Sequence, residues 1–85
     1  HQMLDFSFTK DAAISQVELA KALGVSRVTV NMWINGRMHP HHLHERRISA
    51  KLDALREAVA AGEIPPVTTE GREQAIADAV ASATD

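Results

Sequence analysis

Residues 16–33, QVELAKALGVSRVTVNMW, read as two short helices joined by a tight turn. Ser15 stands just before the stretch, and Glu18 follows three residues later. That is the spacing of a capping box, in which each side chain satisfies a backbone NH left unpaired at the helix start. Leu19, Ala20 and Leu23 then share one face at helical spacing. Gly24 falls where a left-handed residue ends a helix, and Val25 plugs the turn. Ser26 is the predicted cap of a second helix that buries Val30 and Trp33 and exposes Arg27, Val28, Asn31 and Met32. The small Ala20 lets the helices cross closely, and Gly24 lets the chain turn sharply. This is the physical recipe of a helix-turn-helix, whose second helix enters the DNA major groove.

The longer stretch from Ser15 to Pro40, SQVELAKALGVSRVTVNMWINGRMHP, resembles the helix-turn-helix of phage Cro and CI repressors and their bacterial relatives, small antitoxins included. Asn31 stands where Ser is common in that pattern. The resemblance is specific because it fixes small, apolar and glycine positions together. It implies a compact all-α fold of the lambda-repressor-like class. Position by position, it also implies that Ser26, Arg27, Val28 and Met32 read bases, and that Gln16 grips phosphate at the start of the first helix. Asn35, Arg37 and His39 match the loop that approaches the backbone of the other strand. The residue chemistry agrees. Arg27 suits guanine O6 and N7, and Val28 suits a thymine methyl. Asn31 joins the base-reading set, and Thr29 the phosphate set.

At 85 residues the chain is one small domain with a limited core. It has no cysteine, so no disulfide scaffold and no thiolate metal site. No apolar run approaches a membrane span and no signal-peptide pattern is present, which predicts a cytoplasmic protein. His1 and Gln2 ahead of Met3 read as the remains of an expression tag. The formal net charge is −2, but the charge is segregated. From Ser15 to Lys51 there are six basic and two acidic residues, a net +4; from Leu52 to Asp85 there are two basic and seven acidic, a net −5. The basic part holds the helix-turn-helix, a polarity that would orient the molecule on a polyanion.

Outward from the motif, residues 4–14 predict either a short helix or an extended lead-in, with Phe6, Phe8, Ala12, Ala13 and Ile14 packing inward. Helices are predicted at about 16–23 and 27–35, with Gly36 as the second terminator. Pro40 is placed as the first residue of a long fourth helix reaching Ala61, because its missing NH costs nothing there. Leu43, Ile48, Leu52, Leu55 and Val59 form its apolar stripe, and Gly62 ends it. Such a helix spans about 33 Å, more than a small helix-turn-helix core covers. Residues 63–68, EIPPVT, are a stiff linker. Thr69 is the predicted cap of a last helix whose large apolar residues are Ile76 and Val80. That helix folds back on the fourth, pairs across a dimer, or frays. The domain reading is therefore 3–61 for the DNA-binding unit with its long helix, and 62–85 for a linker and C-terminal helix serving dimerisation or interaction.

Other chemistry is poorly supported. His41 and His44 could share a helix face, but His39 lies in a loop, His42 points elsewhere, and no cysteine completes a tetrahedral set. These histidines are read as neighbours of DNA phosphates or as solvated residues without a role, and no metal and no cofactor is assigned. No nucleophile-base pair and no glycine-rich phosphate loop is present, so an enzyme is not expected. The sequence predicts a sequence-specific DNA-binding transcriptional regulator of Cro/CI type, a repressor. It would bind a palindromic operator in double-stranded DNA as a homodimer through Leu52, Leu55, Val59, Ile76 and Val80. The alternative is a helix-turn-helix scaffold that binds a protein partner through exposed Val28 and Met32.

Overall fold

Each of the first four helices ends in the same way, and those endings set the path of the chain. In the computed structural model, which describes residues 4–83, the helices are α1 (Phe8–Asp11), α2 (Gln16–Leu23), α3 (Arg27–Ile34), α4 (His42–Ala60) and α5 (Arg72–Ala81). The tag reading of His1 and Gln2, and Met3 with them, lie outside the described residues. After α2, Gly24 turns left-handed at φ 74°, and the Val25 NH reaches back to the Ala20 carbonyl at 3.0 Å. The same pair of reversed bonds closes α3 at Gly36 and α4 at Gly62. This is the Schellman termination, which satisfies carbonyls the helix end would leave bare. At the end of α1 the left-handed position is occupied by Ala13, φ 57°, a conformation costly for a residue with a Cβ. The sequence reading packed Ala13 inward; it is exposed, because that backbone turn sends its side chain outward.

The lead-in is a short helix. Phe6 and Ile14 are buried, and Thr9 is held in the core by a 2.6 Å bond from its hydroxyl to the Phe6 carbonyl. α2 and α3 pack together through Leu19, Ala20, Leu23 and Val30, with Leu19 and Val30 fully buried. Trp33 packs against this core only in part, and its buried indole NH has no partner.

Two helix starts differ from the sequence reading. α4 begins at His42, not at Pro40, because His41 is extended (φ −55°, ψ 140°) and its Nδ1 accepts the Leu43 NH at 3.2 Å. The imidazole supplies the cap, so the helix starts one residue after it. Leu43 consequently lies in the first turn and is 73% exposed. Five residues before Ile48, it is about 140° round the helix from the buried stripe. α5 begins at Arg72 behind a left-handed Gly71 (φ 92°), and Thr69 sits in the preceding turn without capping.

The decisive packing is α5 on α4 and on α2 within one chain. Ile48, Leu52 and Leu55 of α4 meet Ile76 and Val80 of α5 in a single cluster with the helix-turn-helix core. This corrects the assignment of Leu52, Leu55, Ile76 and Val80 to a dimer surface: all four are at most 4% exposed in one copy. Val59 is half-buried against the same cluster. Two large apolar residues suffice because Ala75 and Ala79 are also half-buried beside them, so α5 brings little bulk of its own between the helices.

Because Ile76 is core rather than interface, Ile76→Ala should lower the unfolding free energy by about 2–5 kcal/mol. Urea denaturation checks this, and the loss should not depend on protein concentration.

Candidate nucleic-acid interface

The start of α2 is held by three side chains. The Ser15 hydroxyl accepts the Glu18 NH at 3.1 Å, and the Glu18 Oε1 accepts the Ser15 NH at 3.0 Å, the capping box read from sequence. Gln16, the first residue of α2, accepts the Asn31 side-chain amide at 3.3 Å, and Asn31 in turn accepts that of Asn35 at 3.1 Å. This ladder locks the α2 start to the body of α3.

The structure divides the residues assigned to base reading. Arg27 is exposed, and Val28 and Met32 are 60% and 37% exposed, one helical turn apart on α3. Ser26 caps α3, its hydroxyl accepting the Thr29 NH at 3.1 Å and bonding to the Thr29 hydroxyl at 2.9 Å. Asn31 is half-buried and committed to the ladder. Among the residues assigned to phosphate, Asn35, Arg37 and His39 follow α3 on the exposed surface, Gln16 begins α2, and Thr29 is half-buried against Ser26. Between Ser26 and His44 there is no carboxylate, while Arg27, Arg37 and four histidines are present. The rings of His41 and His42 stack at 4.4 Å, and His44 meets His41 edge-on at 6.1 Å.

Sequence reasoning gave no role to Arg72, yet it fixes the back of this surface. Its side chain is 5% exposed. Its Nε donates to Glu18 Oε2 at 2.8 Å and its Nη2 to Glu18 Oε1 at 3.2 Å, a bidentate pair. The Nη2 also donates to the Ala13 carbonyl at 3.0 Å, and the Nη1 to the Pro65 carbonyl at 2.7 Å. One guanidinium thus joins the end of α1, the start of α2, the proline linker and α5. The hydrogen bond from Arg72 is the main cause that holds the Glu18 carboxyl below its ordinary range, against partial burial and with help from the Ser15 NH. Glu18 raises Arg72 in return. The carboxylate beside the α2 start is therefore neutralised from behind, and the positive end of the helix dipole is left to face an anion. A signal was available: a cation in the first turn of a helix opposes its dipole, so Arg72 needed another task. Nearby Lys21 and Glu73 also pair between α2 and α5, but both are more than two-thirds exposed and contribute little.

Residues 10–41 match the helix-turn-helix family model. That segment runs from α1 to the cap of α4 and is similar to DNA-binding helix-turn-helices of Cro/CI type; most of α4, the linker and α5 lie beyond it. No curated protein and no solved structure matches the chain. Among the described residues no helix is long and apolar enough to cross a membrane, and no group of side chains is arranged to hold a metal ion.

The Glu18–Arg72 pair makes a signed prediction. Since the folded state depresses the Glu18 pKa, its contribution is complete above the ordinary carboxylate range and is lost as pH falls through the depressed value. Glu18→Gln keeps a capping side chain but leaves a buried cation unpaired, at a cost of about 3 kcal/mol near neutral pH. Its stability should then fall less than that of the wild type between neutral and acidic pH, as measured by denaturation across that range.

Proposed function

We propose that this chain, a DNA-binding regulator built on a Cro/CI-type helix-turn-helix at residues 10–41, is a sequence-specific repressor that lays α3 in the major groove of an operator. The observation that carries the reading is the α3 surface itself: Arg27, Val28 and Met32 stand exposed on a helix-turn-helix, on a stretch of chain free of carboxylates. Arg27 is the hydrogen-bonding base reader. Gln16, Asn35, Arg37 and His39 set register on the phosphates, with Ser26, Thr29 and Asn31 holding α3 in place for them. Occupancy of the operator excludes other proteins from the promoter.

A palindromic operator accommodates two copies by symmetry, one per half-site. With α5 covering α4, the two copies do not meet through the buried faces of those helices. The free chain is then a monomer at micromolar concentration, and two copies assemble on a duplex with two half-sites. Sedimentation of the protein alone and with such a duplex measures this. A free dimer that Leu52→Asp dissociates without unfolding would contradict it.

Selection from random duplex DNA is the primary test. Arg27→Ala should weaken binding to the selected site by about 1–3 kcal/mol and relax preference at one base pair per half-site. Arg37→Ala should weaken binding to all sequences alike and reduce the slope of log affinity against log salt by about one. No enriched sequence, with binding insensitive to salt, would overturn the reading in favour of a protein partner.

A further inference from the structure

We infer that α3 recognises the 5-methyl groups of pyrimidines in the major groove as its main sequence signal, with Arg27 as its single hydrogen-bonding reader. The inference rests on the DNA-binding reading above and specifies its ligand: a duplex whose half-site presents two closely spaced 5-methylpyrimidines, as thymine or as 5-methylcytosine.

α3 has eight residues, RVTVNMWI, and is capped by Ser26. Val30 is buried, and Trp33 is half-buried against the core. The polar side chains that would ordinarily read base edges are engaged inside the protein. Ser26 and Thr29 bond to each other, and Asn31 is held between Gln16 and Asn35. Ile34 is as exposed as Met32, but it lines a cavity with Phe6, Gln16 and Leu19, about 160° round the helix from Met32. Three side chains then remain toward the groove: Arg27, Val28 and Met32. The two apolar ones are four residues apart, so they lie on one face about 5–6 Å from each other. Base pairs rise by about 3.4 Å, so the two side chains meet positions one or two steps apart.

An aliphatic side chain has nothing to offer the acceptors and donors of a base edge. The one apolar feature of the major groove is the C5 methyl of thymine, which 5-methylcytosine shares. Charge decides for DNA over an apolar protein partner. The two side chains are flanked by Arg27 and Arg37, and the nearest carboxylates in sequence after Glu18 come only at Glu45. From the end of α3 onward, the exposed apolar Ile34 and Met38 alternate along the chain with exposed Asn35, Arg37 and His39, so polar and charged side chains interrupt the apolar ones.

The test uses the full chain and the duplex site obtained by selection, measured by titration at fixed salt. Each thymine of one half-site is replaced in turn by deoxyuridine, which removes only the methyl group. Two positions should weaken binding by about fourfold each, the worth of one buried carbon, at about 0.8 kcal/mol. Val28→Ser should abolish the effect at one of them and Met32→Ser at the other, and because both residues are exposed, circular dichroism should show each variant folded. Where the selected site tolerates cytosine at either position, 5-methylcytosine should bind more tightly than cytosine by the same factor. If uridine is neutral everywhere while the selected site is still bound specifically, the methyl reading is wrong and the DNA-binding reading stands. If no site is bound specifically, both fall.

Discussion

The fold depends on a single buried cation. Arg72 donates to both oxygens of Glu18 and to the carbonyls of Ala13 and Pro65, and its side chain is almost fully removed from solvent. Burial of a guanidinium is tolerated only when its charge is paired and its donors are met. Here the partners come from three different segments, so all three must be in place at once. The carboxylate in the centre of the arrangement is also the N3 residue of the α2 capping box. The same Glu18 therefore finishes a helix start and receives the C-terminal helix. That double use ties α5, which lies outside the matched helix-turn-helix segment, to the start of the helix-turn-helix itself.

The hydrophobic core follows from this arrangement. α4 carries an apolar stripe longer than α2 and α3 can cover, and water is a poor alternative for Leu52 and Leu55. α5 covers it with Ile76 and Val80 and is steered into place by the prolines of the linker and by Arg72 at its own first turn. A chain of this size has little core to spare, so the added helix matters to stability as well as to shape. α3 packs on α2 and keeps Arg27, Val28 and Met32 exposed, with the Gln16–Asn31–Asn35 ladder holding it to the α2 start.

The helix-turn-helix was legible in the sequence because its signals are local. The Ser15–Glu18 box, the glycines after α2, α3 and α4, and the burial of Leu19 and Val30 each follow from residues within one or two turns. Polar groups at helix starts were harder. His41 caps α4 with a ring nitrogen, a role more often filled by Ser, Thr, Asp or Asn, and Gly71 displaced Thr69. What sequence reading missed most was distant in the chain. The α4 stripe was seen correctly from Ile48 onward, but its cover was sought in a second copy, because Ile76 and Val80 look too small without the closely packed alanines beside them. Arg72 was overlooked for the same reason: its partner lies 54 residues away. On α3, exposure alone did not reveal that Ser26 and Asn31 were already engaged within the protein.

The central claim is that α5 and the helix-turn-helix form one cooperative unit in a single chain. Native-state amide hydrogen exchange under mild denaturant measures this most directly. Core amides of α2, α4 and α5 should exchange with the same free energy, equal to that of global unfolding, at dilutions where association is negligible. Early exchange throughout α5, with α2 and α4 still fully protected, would contradict it.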